Sequence, residues 1–435
     1  MLKAGFARVD ITPPLGLPMA GYFSERFAKG ILDPLQLNAL ALSAEGQTAV
    51  IIAADLLTVK TPECNEIRAL IAERVGIPAD HVLLAILHQH TSVIVGDWDV
   101  TTPLTDRPYL DLLYRKFADV AQMAVDDLCE ATLSTAVEPV AEQISFVRRY
   151  LMTDGTYKTN PGRRNKDKIV RPANEADNAM RLIRFRREGA EDIALVNFST
   201  HPDVIGGESF SADWPGFVRR YVEGDLQDVS CLLINGAQGD TNHIDFLGTP
   251  AVKGYAHSAH MGRVIADAVL KAWDHTAGRD ASRLFSDITT VYVKSNTEGE
   301  ERYEECKALQ TAYQEGSIEL SMEQLAEVRR ICNLRTAPIY HPVPVTVMTL
   351  GDVALVGFGG EPFTQYANRV REAVPDKFVI AACCANGYAG YLPTRLAFEQ
   401  GGYEAKNSPF VPELEDLVVG AALKLLNRDE TKNER

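Results

Sequence analysis

Short apolar runs alternate with helix-like segments along most of this chain, and this alternation restricts its fold more than any other feature. The runs are rich in Val, Ile, Leu and Ala, have the length of buried strands and end at polar residues; they cover 49–54, 82–87, 193–198, 229–234, 353–358 and 378–384. Helices are predicted at 62–75 and 362–374, where a proline suits the first turn. The pattern predicts an α/β fold in which helices flank a mixed central sheet. With 435 residues, 46% of them hydrophobic, the chain can bury the core of one large domain spanning 1–435.

The net charge of the chain and the length of its apolar runs argue against several classes of partner. The formal net charge is -15 and no long run of Lys or Arg occurs, which argues against nucleic acid. The longest apolar runs are well below the roughly 20 residues that cross a bilayer, and the first residues show no export-signal pattern. The 7 cysteines lack paired spacing and fit reduced thiols. We therefore expect a cytoplasmic protein that binds a small-molecule substrate but neither nucleic acid nor membrane.

Two polar segments interrupt the alternation. Residues 298–335 are highly charged and contain Ser321-x-x-Gln324, the pattern of a capping box, so we predict a helical insertion within the domain. Residues 153–174 form a polar loop that includes Arg163 and Arg164. A basic loop on an acidic protein either contacts an anionic or hydroxylated substrate or is simply solvated, and the sequence leaves both readings open.

Polar clusters stand at the carboxyl ends of four apolar runs. They are His88-Gln-His90 after 82–87, His201 after 193–198, Asp240-Thr241-Asn242 after 229–234, and Glu361 after 353–358. Ligands of open α/β sheets bind beyond the carboxyl ends of the strands, so we expect these clusters to converge. Residues 88 and 90 lie two apart, and their imidazoles project from one face of an extended chain. One or both can therefore reach a common ion.

The donors in these clusters favour a zinc site. The nitrogens of His88 and His201 and the carboxylate of Glu361 suit Zn²⁺, although several divalent ions accept the same donors. An alternative stays open, in which these side chains are structural and no metal binds. The chain contains no Gly-x-Ser-x-Gly elbow, phosphate-binding Gly-rich loop, His-Glu-x-x-His helix or Cys-x-x-Cys pair, which argues against the corresponding mechanisms.

Several motifs together resemble the neutral/alkaline ceramidases, zinc amidases that hydrolyse the N-acyl bond of ceramide. The motifs are Ile11-Thr-Pro-Pro14, Met19-Ala-Gly-Tyr22, Leu87-His-Gln-His-Thr-Ser92, Asn197-Phe-Ser-Thr-His201, Ser211-Ala-Asp-Trp-Pro-Gly216, Gly360-Glu-Pro-Phe-Thr364 and Asn386-Gly-Tyr-Ala-Gly-Tyr391-Leu-Pro-Thr394, continued by Glu399-Gln-Gly-Gly-Tyr403-Glu404. The resemblance implies one zinc ion per chain, held by His88, His201, Glu361 and Tyr391. It also implies that Tyr403 contacts the substrate.

Two departures from the family pattern bear on the substrate. Asn242 follows Gly239-Asp240-Thr241 where ceramidases carry a catalytically important serine, and the chain ends soon after the tyrosine motif, where ceramidases add an immunoglobulin-like domain. We therefore interpret the chain as a divergent relative limited to the catalytic domain. A smaller polar amide or ester is the expected substrate.

The predicted mechanism is hydrolysis by metal-activated water. We expect His90 to orient the water or carry its proton and Tyr403 to donate to the developing oxyanion. Asp240 either fixes a histidine tautomer or caps a helix that follows its Gly239 turn. The side chains expected to contact the substrate are Thr241, Asn242, Arg163, Arg164 and Tyr388, the last of which could equally serve packing. Sugar deacetylation, ester cleavage, lactone opening and metal binding without turnover remain alternatives.

Overall fold

The computed structural model describes residues 1–19, 21–22, 24–96, 105–248 and 252–433. The opening motif around Met19 therefore includes one position, Ala20, that lies outside the described residues. The α-helices within the described ranges are α1 (Thr61–Val75), α2 (Arg107–Asp126), α3 (Asp213–Asp225), α4 (Tyr255–Trp273), α5 (Tyr303–Gln314), α6 (Met322–Asn333), α7 (Thr364–Ala373), α8 (Arg395–Gln400), α9 (Tyr403–Asn407) and α10 (Leu414–Asn433).

The strands form two large sheets and several short ladders. In chain order they are β1 (Lys3–Asp10), β2 (Pro18–Met19), β3 (Arg26–Phe27), β4 (Gly30–Ile31), β5 (Gln36–Ala44), β6 (Gln47–Ala54), β7 (Thr58–Val59), β8 (Val82–Ile86), β9 (Ile94–Val95), β10 (Cys129–Pro139), β11 (Phe146–Val147), β12 (Arg149–Met152), β13 (Tyr157–Thr159), β14 (Ile169–Pro172), β15 (Ala179–Arg187), β16 (Asp192–Phe198), β17 (Ser209–Phe210), β18 (Val229–Asn235), β19 (Thr241–Asn242), β20 (Ala277–Gly278), β21 (Leu284–Lys294), β22 (Tyr340–Leu350), β23 (Val353–Phe358), β24 (Glu361–Pro362), β25 (Phe378–Ala382) and β26 (Tyr391–Leu392).

The larger sheet is mixed. Its order is β18-β16-β15-β10-β1-β5-β6-β8, with β20 paired to β10. The pairs β16/β18 and β6/β8, at its two ends, are parallel, and the others are antiparallel. The second sheet has the order β21-β22-β23-β25, in which only β23/β25 is parallel. The prediction of a mixed sheet flanked by helices is confirmed.

Two stacked sheets, rather than one, form the centre of the molecule. A buried cluster that includes Leu42, Ile51 and Leu195 of the larger sheet with Met348 and Leu355 of the second sheet fills the space between them. Helices α1 to α4 pack on the outer face of the larger sheet, and α7 and α10 pack on the outer face of the second. Runs 353–358 and 378–384 therefore belong to the second sheet, which an apolar pattern cannot distinguish from the first because both are buried.

The two parallel ends of the larger sheet come close together at their carboxyl ends. The amide nitrogen Nδ2 of Asn235, at the end of β18, donates to the carbonyl of Leu87, just after β8, at 3.1 Å. Asn197 of β16 donates to Ala381 of β25 at 2.9 Å, which joins the second sheet to the same corner. Segments that are far apart in sequence therefore converge at one point.

The polar segments form regular structure. The charged segment 298–335 contains α5 and α6, and both hydrogen bonds of the predicted capping box form between Ser321 and Gln324. Loop 153–174 contains two strands, β13 and β14, of a small sheet with the order β13-β12-β14, and a 3-10 turn at Arg163–Lys168 lies between them. In the part of the chain that the structure describes, no helix has the length and apolar character needed to cross a membrane.

Candidate metal centre

The three histidines predicted from strand ends lie side by side. One ligand atom from each of His88, His90 and His201 falls within 4.8 Å of the others. The ring centroids are 5.1 Å apart for His88 and His90, 5.1 Å for His88 and His201, and 5.3 Å for His90 and His201. The expected convergence of these histidines is therefore present, and His90 lies as close to the centre as the two predicted ligands.

The backbone at His88 has a strained conformation directly after β8. Its φ is 72°, a left-handed conformation that costs a residue other than glycine about 1–3 kcal/mol. The amide of His88 donates to the carbonyl of Leu56 at 3.0 Å, which holds the chain in this turn directly after β8. Strain of this kind persists only where the surroundings enforce it.

Backbone carbonyls decide which nitrogen of each imidazole is available. Nδ1 of His88 lies 2.9 Å from the carbonyl of Leu57, and Nδ1 of His201 lies 3.3 Å from that of Gln238. A carbonyl can only accept, so each Nδ1 carries the proton and each Nε2 keeps its lone pair. Both Nε2 atoms face Oε2 of Glu361, at 3.4 Å and 3.5 Å. The two lone pairs and the carboxylate thus point at a common position.

Glu361 is buried and stays ionised. Burial by itself would raise its pKa, but the positive charge of His88 and His201 in their protonated forms outweighs burial and holds the pKa well below its usual range. The hydroxyl of Tyr388 donates to Oε1 at 2.7 Å, and Nε2 of Gln238 donates to Oε2 at 3.3 Å. The predicted substrate residue Tyr388 therefore also holds the carboxylate in place.

Tyr391 is brought to Glu361 by a short parallel ladder. The two residues are register partners in the pair β24/β26, so their side chains leave the ladder on the same side. Burial raises the pKa of Tyr391 well above its usual value, so its phenol keeps its proton. Its ring lies 5.6 Å from that of Tyr403, and the guanidinium carbon of Arg148 lies 5.2 Å from its centroid.

Arg148 is a site residue that sequence reasoning missed. It is buried, its Nε lies 2.7 Å from Oε1 of the buried Glu404, and its Nη2 donates to the carbonyl of Gly239 at 2.8 Å. Burial lowers its pKa, but Tyr391 and Glu404 outweigh burial and raise it, so the cation persists. The only signal in the sequence is an arginine pair between apolar residues at 144–152.

His90 has no hydrogen-bond partner on either ring nitrogen among the described residues. Burial, followed by the neighbouring His88, lowers the pKa of His90 to about 4. Nε2 of the buried His201 also lacks a hydrogen bond within the described part of the chain. Buried nitrogens of this kind are costly unless a ligand satisfies them. Together with His88, these two imidazoles and the carboxylate of Glu361 are the kind of donors that zinc and similar divalent ions take, so the side chains present fit the predicted metal.

Asp240 has neither of the two predicted roles: it does not fix a histidine tautomer, and β19 rather than a helix follows its Gly239 turn, but it caps a helix that is distant in sequence. Its Oδ1 accepts from both the amide and the hydroxyl of Thr364 at 2.9 Å, which caps the start of α7, and its Oδ2 accepts from Asn174 at 2.7 Å. The Nδ1 atoms of His88 and His201 face carbonyls instead. Asp240 therefore stabilises the element that follows Glu361.

The other predicted substrate residues lie away from the centre or act through a neighbour. Thr241 is buried and donates to the carbonyl of Gln238. Asn242 is buried and donates to Oδ1 of Asn160 at 2.9 Å, and Asn160 lines the cavity described below. Arg163 and Arg164 are exposed on their 3-10 turn and are absent from the cavity wall as far as the structure describes it. The prediction that these arginines select the substrate is not supported by their position.

A cavity of about 650 Å³ opens onto the histidines, a volume typical of small-molecule sites. Its wall includes the predicted residues His88, His90, His201, Glu361, Tyr388, Tyr391 and Tyr403. Further lining residues that sequence reasoning missed are Tyr22, Lys60, Arg148, Asn160 and Asp203. Helix α6 of the insertion contributes Met322, Arg329, Arg330 and Asn333, so the insertion forms part of the cavity wall.

Comparison with known proteins places the fold. No family model and no curated protein matches the chain. Among solved structures, neutral ceramidase from Pseudomonas aeruginosa matches with a TM-score of 0.73 and 16% sequence identity, over 98% of this chain and 75% of that chain. A structure of ceramidase complexed with C2 gives the same four values. The chain therefore has the fold of neutral ceramidase.

Proposed function

We propose that the chain is a zinc-dependent hydrolase that cleaves an amide bond of a small polar substrate. One observation carries the proposal: the lone pairs of His88 and His201 and the carboxylate of Glu361 point at one buried position beside a cavity. His90 lies beside His88 and His201, and Tyr391 is the register partner of Glu361. The resemblance to neutral ceramidases supports an amide as the bond, and the cavity volume supports a small substrate.

A zinc ion held by these side chains would supply Lewis acidity to a water molecule and to the scissile carbonyl. In the net reaction water adds to the acyl carbon, the carbon–nitrogen bond breaks, and the leaving nitrogen takes up a proton. His90 is suited to carry that proton because its imidazole is neutral and its two nitrogens have no hydrogen-bond partner among the described residues.

Arg148, Tyr391 and Tyr403 form the part of the centre that can stabilise negative charge. Burial raises the pKa of Tyr403 as it does that of Tyr391, so both hydroxyls remain donors. Arg148 adds a fixed positive charge that Glu404 holds in position. A donor that is fixed before the reaction and points at the developing oxyanion typically increases the rate by about 10²–10³-fold.

A cytoplasmic location is part of the proposal. All 7 cysteines lie within the described residues and are free, which is typical of proteins kept in a reducing compartment.

The test is a hydrolysis panel on the zinc-loaded protein, containing N-acyl amino acids, N-acetylated amino sugars, carboxylic esters and lactones. We expect turnover of an N-acyl amide that falls at least about 10³-fold in His88→Ala and about 10²–10³-fold in Arg148→Met. His260→Ala, on an exposed part of α4, should match the wild type. Hydrolysis of esters or lactones only would mean that the enzyme cleaves an ester bond instead of an amide bond. Absence of turnover with every compound would mean that the protein binds metal without catalysing hydrolysis.

A further inference from the structure

Asn242 and Asn160 form a pair of hydrogen-bonded amides that leads from the protein backbone to the cavity. Asn242 is buried in β19, whereas Asn160 follows β13 and lines the cavity. The backbone amide of Ile244 donates to Oδ1 of Asn242 at 3.0 Å, and Nδ2 of Asn242 donates to Oδ1 of Asn160 at 2.9 Å. A backbone group outside the cavity is thus connected to a side chain in its wall.

These two contacts determine the orientation of both side-chain amides. The backbone nitrogen of Ile244 can only donate, so Asn242 turns its oxygen toward Ile244 and its nitrogen toward Asn160. Asn160 then accepts with its oxygen. Its Nδ2 donates to no acceptor among the described residues, so this nitrogen is left for a ligand in the cavity. A ligand that excludes water without offering an acceptor leaves the donor unpaired, which weakens binding.

The backbone holds Asn160 in a conformation that few residues adopt. Its φ is 47°, in the left-handed region that asparagine tolerates better than most residues, and its amide donates to the carbonyl of Arg148 at 2.7 Å. The preceding Thr159 accepts from the amide of Tyr403 at 3.3 Å and donates to Glu404 at 2.6 Å. Asn160 therefore stands on the side of the cavity that Arg148 and Tyr403 form.

The scissile carbonyl is not the acceptor that Asn160 requires. A carbonyl oxygen offers two lone pairs. In the proposed function, those of the scissile oxygen face the metal ion and the donors of Arg148, Tyr391 and Tyr403. The acceptor for Nδ2 of Asn160 is therefore a second oxygen of the substrate.

We propose that Asn160 determines substrate specificity by donating from Nδ2 to a second substrate oxygen, a carbonyl or a hydroxyl, and that Asn242 positions it. This inference rests on the proposed amide hydrolysis at the same centre. It restricts the substrates to amides that carry a further acceptor oxygen near the scissile bond, and it excludes simple alkyl amides. Asn242 does not line the cavity within the described part of the chain, so it acts through Asn160.

The experiment compares three N-acetyl amides that share a phenyl ring and differ in the second oxygen. N-acetyl-L-phenylalaninamide carries a carbonyl, N-acetyl-L-phenylalaninol carries a hydroxyl, and N-acetyl-2-phenylethylamine carries neither. Their dissociation constants are measured by calorimetry on the full-length protein, zinc-loaded and metal-free, at about pH 8, where carboxylates are ionised. We expect one or both oxygen-bearing amides to bind about tenfold or more tightly than N-acetyl-2-phenylethylamine in both forms. The tighter of the two identifies the kind of oxygen.

Two substitutions separate recognition from structure. Asn160→Asp keeps an oxygen that accepts from Asn242 but replaces the amide donor, so the preference should disappear. Asn242→Asp still accepts from Ile244 but cannot donate as a carboxylate, so Asn160 turns its Nδ2 away from the cavity. The preference should then disappear although no residue of the described cavity wall has changed. Asn427→Asp makes the same change at an exposed position of α10 and should keep the wild-type preference.

Two results would overturn the inference. One is that neither oxygen-bearing amide binds the wild type more tightly than N-acetyl-2-phenylethylamine. The other is a preference that survives Asn160→Asp in protein with a native circular dichroism spectrum. A preference lost in Asn160→Asp but kept in Asn242→Asp would overturn the positioning role of Asn242.

Release of acetate from the three amides by the zinc-loaded protein is measured separately. Selective binding without acetate release would contradict the amidase and keep the Asn160 site. Equal binding of the three amides together with acetate release would keep the amidase and contradict the Asn160 site.

Discussion

At the scale of single residues, the centre combines unpaired buried imidazoles with a backbone that is strained to present one of them. His88 follows its strand in a left-handed conformation, and His90 has no hydrogen-bond partner among the described residues. Both features cost free energy in a protein that binds nothing there. They are consistent with a site whose occupant supplies the missing bonds.

His90, which is neutral and has buried ring nitrogens, makes the metal-free protein sensitive to acid. Its pKa in the folded state is about 4, below the ordinary value of 6.5, so the unfolded chain binds the proton more strongly between those pH values. The contribution of His90 to stability is therefore present above pH 6.5 and is lost as the pH falls through that window, by up to about 1.4 kcal/mol per unit. Urea unfolding of metal-free protein at pH 7 and pH 5 measures it. We expect His90→Asn to flatten the dependence and exposed His275→Asn to leave it as in the wild type; a parallel decline in all three proteins would contradict the assignment.

Tyr388 is expected to matter through Glu361. Tyr388→Phe removes the hydroxyl that donates to Oε1 at 2.7 Å and leaves the ring in place. Groups that orient metal ligands typically change metal affinity by about 10–100-fold, so we expect a loss of this size in zinc affinity, measured by competition with a chelating dye. Tyr292→Phe, on an exposed strand position, is the control. An unchanged affinity in Tyr388→Phe would mean that the Glu361 carboxylate needs no support from this hydroxyl.

At the scale of elements, the loop after β25 joins the two sheets through one buried amide. Asn386 accepts from the amide of Leu84 at 2.9 Å and donates to the carbonyl of Val82 at 3.2 Å, both in β8, and to Oγ1 of Thr346 in β22 at 2.9 Å. Its φ of 54° is one that asparagine tolerates better than most residues. This loop leads to Tyr388 and Tyr391, so the joint also positions the tyrosines.

Asn386→Ala should therefore destabilise the whole fold. It leaves two buried backbone groups of β8 unpaired, at about 1–3 kcal/mol each, and removes the bond to Thr346. We expect the free energy of unfolding to fall by about 2–5 kcal/mol in guanidinium titrations, with exposed Asn427→Ala near the wild-type value. A change below about 1 kcal/mol would show that the joint between the sheets does not depend on this amide.

The elements were predictable to different degrees from sequence. The strands that precede His88, His201 and Glu361 were found because uninterrupted apolar runs mark buried strands, and the capping box at Ser321 was found because its side-chain pattern is local. The division into two stacked sheets was not predictable, since a strand that is buried on both faces has the same pattern in either sheet. The role of the insertion as a cavity wall also depends on contacts distant in sequence.

At the scale of the whole molecule, the site exists because the two parallel ends of one sheet approach each other and the second sheet closes over that corner. His88, His201 and Glu361 were predicted from strand ends and from the family resemblance, whereas Tyr391 was predicted from the resemblance alone. Arg148 and Lys60 were missed because neither stands in a recognisable motif, and their importance comes from burial or from neighbours such as Glu404 and Tyr388. The arginines of the polar loop were predicted to face the substrate, but their turn projects into solvent.

The most direct test of the account is the zinc content of purified protein, measured by plasma mass spectrometry after dialysis against zinc and then against buffer. We expect about one zinc per chain in the wild type and in the exposed-histidine variant His260→Ala, and far less in His88→Ala, His201→Ala and Glu361→Gln variants that retain a native circular dichroism spectrum. Wild-type protein that takes up no zinc, or folded His88→Ala and His201→Ala variants that keep a full equivalent, would contradict the proposed metal centre and the hydrolase mechanism that rests on it.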